Sequence, residues 1–168
     1  MTDYIPKEAF VLKSGKYVGT SLDQLMFVDC THILYLLNVY KDDSSQKSQL
    51  YKHLIWLSEQ ATTRQITAIC PHCNENTMKY FALISDRKSN YKTGLRQTCC
   101  ANDTCQNKLK KSLYLSNEYY FRILAMEFDS MLNVRHKKAR DEISKLLKRI
   151  FGLPKKLTRE LAFNFFAQ

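Results

Sequence analysis

Five of the chain's six cysteines fall in two short stretches, CPHC at residues 70–73 and CCANDTC at 99–105. Thiols paired two residues apart, with a second pair after an intervening arm, form the ligand pattern of a tetrahedral metal site. Each pair sits on a tight turn and gives two thiolates to one ion. The set read from spacing is Cys70, Cys73, Cys105 and one of the adjacent pair Cys99 and Cys100. Zinc is the expected ion, one per chain. Four thiolates fill its coordination and leave no open position, so the expected role is structural. His72 stands between two ligands and is expected to face away from the ion, toward solvent or behind the thiolates.

No other chemistry is visible in the residue types. Four glycines in the whole chain leave no phosphate-cradling loop. His32, His53 and His136 are far apart and show no ligand spacing, and no Ser/His/Asp or Cys/His set stands out. Cys30 reads as a small buried side chain. The chain is therefore expected not to be an enzyme. The rival expectation is an active site assembled only in three dimensions, around carboxylates such as Asp86, Asp103 or Glu118.

The net charge is +10 and is unevenly placed. Residues 1–60 carry 6 basic and 7 acidic groups, residues 61–115 carry 9 and 3, and residues 116–168 carry 11 and 6. A basic middle and tail attract polyanions by their summed field and by counterion release. Between the two thiol pairs, Arg87, Lys88, Lys92 and Arg96 surround Tyr91, where cations can meet phosphates and the ring can stack on an unpaired base. The expected partner is nucleic acid, DNA or RNA. The start MTDYIPKEAF lacks a basic-then-apolar signal pattern, and no apolar run is long enough for a membrane span. The expected setting is intracellular (cytoplasm, nucleus or virion), where thiols stay reduced and bind metal rather than pair.

Three segments must position these residues, and the fold class expected is α+β. Residues 1–60 form a module of a short hairpin plus helices. FVLKSGKYVGTSL alternates about SGKY, with Gly15 and Gly19 at the tight points. Ser21 caps a helix with Leu22, Leu25 and Met26 inward, and helices with Ile33, Leu36, Leu37 and then Leu50, Leu54, Leu57 inward follow. Residues 61–115 form a four-cysteine zinc ribbon, with RQITAI, KYFALI and KLKKSLYL as strands. Residues 116–168 are expected to be wholly helical. Ser116 caps a first helix with the stripe Tyr120, Ile123, Leu124, Phe128 and Met131. A second has Ala139, Ile143, Leu146, Leu147 and Ile150 inward and ends at Gly152 and Pro154. A third starts at Thr158, with Leu161, Phe165 and Phe166 apolar, and its Phe-rich end is expected to dock on a protein partner or on the N-terminal module.

Two resemblances attach to these segments. GKYVGTSL at residues 15–22, followed by DCTHILYLLN, resembles the C-terminal module of exodeoxyribonuclease X-like proteins over about residues 8–60. That module accompanies nucleic-acid-handling domains and is not itself catalytic; the resemblance implies Lys16 and Tyr17 as contacts to phosphate or base. The nuclease's Asp-x-Glu pair occurs nowhere in this sequence. The second stretch, about residues 66–110, is similar to the Ogr/Delta-type zinc fingers of phage late-transcription activators, which join Cys-x2-Cys to Cys-x4-Cys. Matched residue by residue, that resemblance implies Cys70, Cys73, Cys100 and Cys105 as the ligands and leaves Cys99 spare. QNKL stands where that family carries an aromatic residue and a glycine. Together these readings give a non-catalytic, zinc-binding, nucleic-acid-binding factor in replication, repair or transcription, in a virus or phage among other settings. The alternative is a protein-assembly subunit with the ribbon as scaffold.

Overall fold

The computed structural model describes residues 3–41, 48–86, 91–92, 98–114, 119–126 and 137–168. Its contacts divide the chain into two compact units rather than three segments: residues 1–64 with 154–168, and residues 65–153. The C-terminal stretch returns to the N-terminal module. Among the described residues no helix is long and apolar enough to cross a membrane.

The first unit is helical: α1 (Leu22–Val28), α2 (Cys30–Val39), α3 (Gln49–Thr63) and, from the far end of the chain, α6 (Arg159–Ala167). α1 begins at a reciprocal cap, in which Ser21 Oγ accepts the Gln24 amide while the Gln24 side chain accepts the Ser21 amide. Leu22, Leu25 and Met26 are buried as their spacing requires. The stretch before Ser21 folds back on itself as a short antiparallel hairpin, in which the Leu12 amide donates to the Thr20 carbonyl at 3.0 Å and the Leu22 amide to the Phe10 carbonyl at 2.9 Å. One bridge, between Val11 and Ser21, closes it, and Gly15 (φ +83) and Gly19 (φ +80) turn the chain in the left-handed region. α6 is capped by Thr158, and Phe165 and Phe166 pack on Phe27 with ring centroids 5.6 Å away in each case. The Phe-rich end is thus core of this unit, and the Arg64 guanidinium donates to the Phe166 carbonyl at 3.0 Å.

Inside this core lies an acid–base pair, His53 Nε2 to Asp23 Oδ1 at 3.2 Å, with both side chains at most 1% exposed. The rings of Tyr4, Phe10, Trp56 and Phe163 surround the imidazole. Replacing Asp23 by Ala strands a buried imidazole nitrogen, which costs about 1–3 kcal/mol. Chemical denaturation followed by the single Trp, Trp56 beside His53, is expected to show that loss.

The second unit is built on strand β1 (Tyr80–Asp86), to which β2 (Tyr91–Lys92), β3 (Thr98–Cys99) and β4 (Tyr119–Ala125) all pair antiparallel. β4 fills one edge over seven register pairs, from Tyr80↔Ala125 to Asp86↔Tyr119. β3 meets Tyr80 and Phe81 and β2 meets Ile84 and Ser85, so these two short strands share the other edge. Among the described residues its helices are α4 (Asp103–Tyr114), against β3 and β4, and α5 (Lys137–Ile150), beside β2. α5 ends as its Gly and Pro require. Gly152 has φ +66, and the Leu153 and Gly152 amides bond back to Lys148 and Arg149. Four clustered cysteines at one end of an antiparallel sheet make this α+β fold consistent with a small zinc-ribbon-like module.

Two elements correct the sequence expectation. YYFRILA at 119–125 is a strand, not helix. Its aromatic and β-branched residues suit a pleated surface, and seven pairings to β1 outweigh the helical spacing. Conversely, KLKKSLYL does not close the ribbon as a strand; it continues α4, whose Cys105, Leu109 and Leu113 recur every four residues and are all buried. RQITAI contributes only a bridge, Ile69↔Thr77. Ser116, Phe128 and Met131 lie outside the described residues.

Candidate metal centre

The first thiol pair is shaped by a turn. Beyond the Ile69↔Thr77 bridge the Cys70 amide donates to the Asn76 carbonyl at 2.8 Å, and the Asn74 amide donates to the Cys70 carbonyl at 2.9 Å. Asn74 takes φ +58, a left-handed conformation that Asn tolerates better than most residues. The turn aims the backbone amides of Asn76 and Glu75 at the Cys73 sulfur and holds that thiol down at about 6. Asn76 Nδ2 also approaches it, at 3.8 Å.

The second pair is delivered by the sheet and a helix start. The Lys79 amide donates to the Cys99 carbonyl at 2.8 Å, which ties the exit of the first turn to β3. Cys100 follows the strand, and its amide donates to Cys70 Sγ at 3.3 Å. Asn102 then accepts the Thr104 amide on its side chain at 2.8 Å and opens α4. Cys105 therefore sits in the first turn of a helix, where the macrodipole favours a thiolate.

The result is a group of four sulfurs, Cys70, Cys73, Cys100 and Cys105, all within 4.8 Å of one another. Cys73 and Cys100 Sγ are 3.9 Å apart. A tetrahedral ion with metal–sulfur bonds of about 2.3 Å places its ligands about 3.8 Å apart, so these residues fit one. They can hold a metal ion. Burial pushes the Cys105 thiol up to about 12 and also raises Cys100, while Cys73 is lowered. Four sulfurs this close do not all ionise without a cation among them, and a bound dication reverses that preference. The group is also hydrophobic core, packed with Ala82, Leu109 and Leu113.

Comparison of the chain with protein-family models, with curated proteins and with solved structures finds no match.

Cys99 stands outside the group of four. It is fully buried in β3, paired to Tyr80, and burial pushes its thiol up to about 11. Cys99→Ser is expected to keep the metal and Cys100→Ser to lose it; elemental analysis of the two purified variants reads the difference directly. His72 contributes no ligand atom to the group, and its buried Nε2 has no hydrogen-bond partner among the described residues.

The other sequence candidates are dispersed. Arg87, Lys88 and Arg96 lie outside the described residues, and Tyr91 and Lys92 are placed only as the backbone of β2. Lys16 and Tyr17 are in the first unit. The Tyr17 hydroxyl donates to Asp29 Oδ2 at 2.6 Å, and Lys16 Nζ lies 4.6 Å from the centre of the Tyr17 ring. Sequence reading missed Asn74, Asn76 and Asn102, although Asn beside a Cys pair is itself a turn and cap signal. It also missed the lysines of α4, because it took that stretch for a strand.

Those lysines are Lys108, Lys110 and Lys111. All three are exposed, and among the described residues no carboxylate pairs with them. Residues 65–153 hold 16 Lys and Arg against 8 Asp and Glu, a net +8 of the chain's +10.

Proposed function

We propose that the chain is a non-catalytic nucleic-acid-binding factor whose cysteine group holds one structural zinc ion. The observation that carries the reading is the joining of metal site and cations in one helix. α4 supplies Cys105 in its first turn and Lys108, Lys110 and Lys111 along its exposed sides. A metal that fixes the start of α4 thereby fixes a row of exposed cations with no carboxylate partner among the described residues. Phosphates are the matching partner for such charge. Zinc is favoured over other metals because four thiolates at tetrahedral spacing suit a soft-to-borderline ion without redox demands.

A structural rather than catalytic role is supported by the closed ligand set and its burial. The buried acid–base pair Asp23–His53, at most 1% exposed, offers no access to a substrate. A place in replication, repair or transcription rests on the resemblances to the exodeoxyribonuclease X-like module and the Ogr/Delta fingers.

A protein-assembly role has one observation of its own. A hollow of about 320 Å³, lined by Ala68, Ile69, Pro71, Met78, Arg149 and Ile150, is mostly apolar. Titration of the zinc-loaded chain against single- and double-stranded DNA and RNA, across a salt series, separates the two. The nucleic-acid reading expects affinity that falls steeply with salt; absence of binding at low salt overturns it in favour of assembly.

A further inference from the structure

The first unit carries a ring ladder that the metal centre does not use. The Tyr17 and His32 rings meet edge-on with centroids 4.9 Å apart, and His32 stacks on Tyr35 at 5.4 Å with 27° between planes. Tyr17 and His32 are half-buried, whereas Tyr35 is 58% exposed and so presents ring surface to solvent. Lys16 caps the other end of the ladder, over the Tyr17 ring, with its side chain 70% exposed.

Asp29, at the α1–α2 junction, holds this arrangement in place. Its carboxylate accepts the Tyr17 hydroxyl and the Thr31 hydroxyl, each at 2.6 Å, and lies 3.7 Å from Lys16 Nζ. Burial lowers the His32 pKa, so its ring is a neutral partner for stacking at pH 7. The rings are therefore fixed before any ligand arrives, which reduces the ordering cost of binding. The Asp29 carboxylate beside them is already engaged with two hydroxyls. An exposed, preorganised aromatic face with a cation at the far end of the same ladder matches a strand that carries planar bases on a phosphate backbone.

We infer that the Tyr17–His32–Tyr35 ladder is a stacking platform for an unpaired base of single-stranded nucleic acid, with Lys16, at the other end of the ladder, meeting a phosphate farther along the same strand. This rests on the nucleic-acid reading above and adds a site in the other unit. Duplex bases are already stacked on each other and do not reach Tyr35, so the platform selects single strands.

The test uses the full zinc-loaded chain and a 12-nucleotide oligothymidylate carrying one 2-aminopurine, with a duplex of the same length as comparison. Tyr35→Ala is expected to weaken single-strand binding by about 5- to 150-fold with little change in salt slope. Tyr35→Trp is expected to keep the affinity, because it keeps a ring face. Lys16→Gln is expected to lower the single-strand salt slope by about 0.7. Duplex affinity is expected to stay within twofold throughout, and 2-aminopurine quenching on binding is expected to vanish in Tyr35→Ala. Wild-type binding that Tyr35→Ala leaves within twofold overturns the platform and leaves the nucleic-acid reading standing. Equal losses in Tyr35→Ala and Tyr35→Trp also overturn it. A wild type that binds neither oligonucleotide overturns both.

Discussion

Cys73→Ser or Cys105→Ser is expected to release the metal and unfold residues 65–153 while the other unit stays folded. The four sulfurs can hold a metal ion and pack with the core residues Ala82, Leu109 and Leu113. Structural zinc sites contribute roughly 10–16 kcal/mol in small peptides at neutral pH, comparable to or above the roughly 5–15 kcal/mol net stability of a whole domain. Losing one ligand also leaves three thiols crowded without a cation. Trp56, the only tryptophan, lies in the first unit and reports on that unit alone. Far-UV circular dichroism is expected to lose the sheet and two helices, with Trp56 emission unchanged. Chelation of the wild type is expected to give the same two signals. Full retention of ellipticity in a metal-free variant would contradict the account.

Neutralising Lys108, Lys110 and Lys111 together with Gln is the second large effect. The three residues lie off the buried Cys105–Leu109–Leu113 stripe, so the metal content is expected to stay at wild-type level. Lys108 and Lys111 are three residues apart and share one side of α4. If that pair meets two phosphates, the slope of log affinity against log salt falls by about 1.4–1.8. The loss is expected on every sequence tested, because phosphate contacts carry no base information directly. The set Arg87, Lys88, Lys92 and Arg96 is read by the same slope, and Tyr91→Ala by a loss of single-strand affinity without one. An unchanged slope in both multiple variants removes these cations from function and favours assembly.

The cysteine group was legible because metal ligation depends on short-range spacing. Cys70, Cys73 and Cys105 follow from the two pairs alone, whereas the choice between Cys99 and Cys100 depends on which way a strand residue points. Cys99 pairs with Tyr80 inside β3, and only the next residue leaves the sheet and joins its sulfur to the group of four. The caps at Ser21 and Thr158 and the stop at Gly152 are likewise local and readable. What sequence could not supply was the partner of each segment. Residues 119–125 carry helical spacing and strand-forming residue types at once, and long-range pairing to β1 decides between them. The lysines of α4 were in plain sight, but their meaning depends on the helix that Cys105 begins. The Tyr17–His32–Tyr35 ladder joins a loop to a helix and has no sequence period at all.

The claim on which the others depend is that four thiolates close on one zinc ion. X-ray absorption at the zinc edge of the purified full chain tests it most directly. The account expects one zinc per chain, surrounded by four sulfurs at about 2.3 Å with no nitrogen or oxygen bound to it. A folded protein without metal, or an ion bound through nitrogen or oxygen atoms, would contradict it.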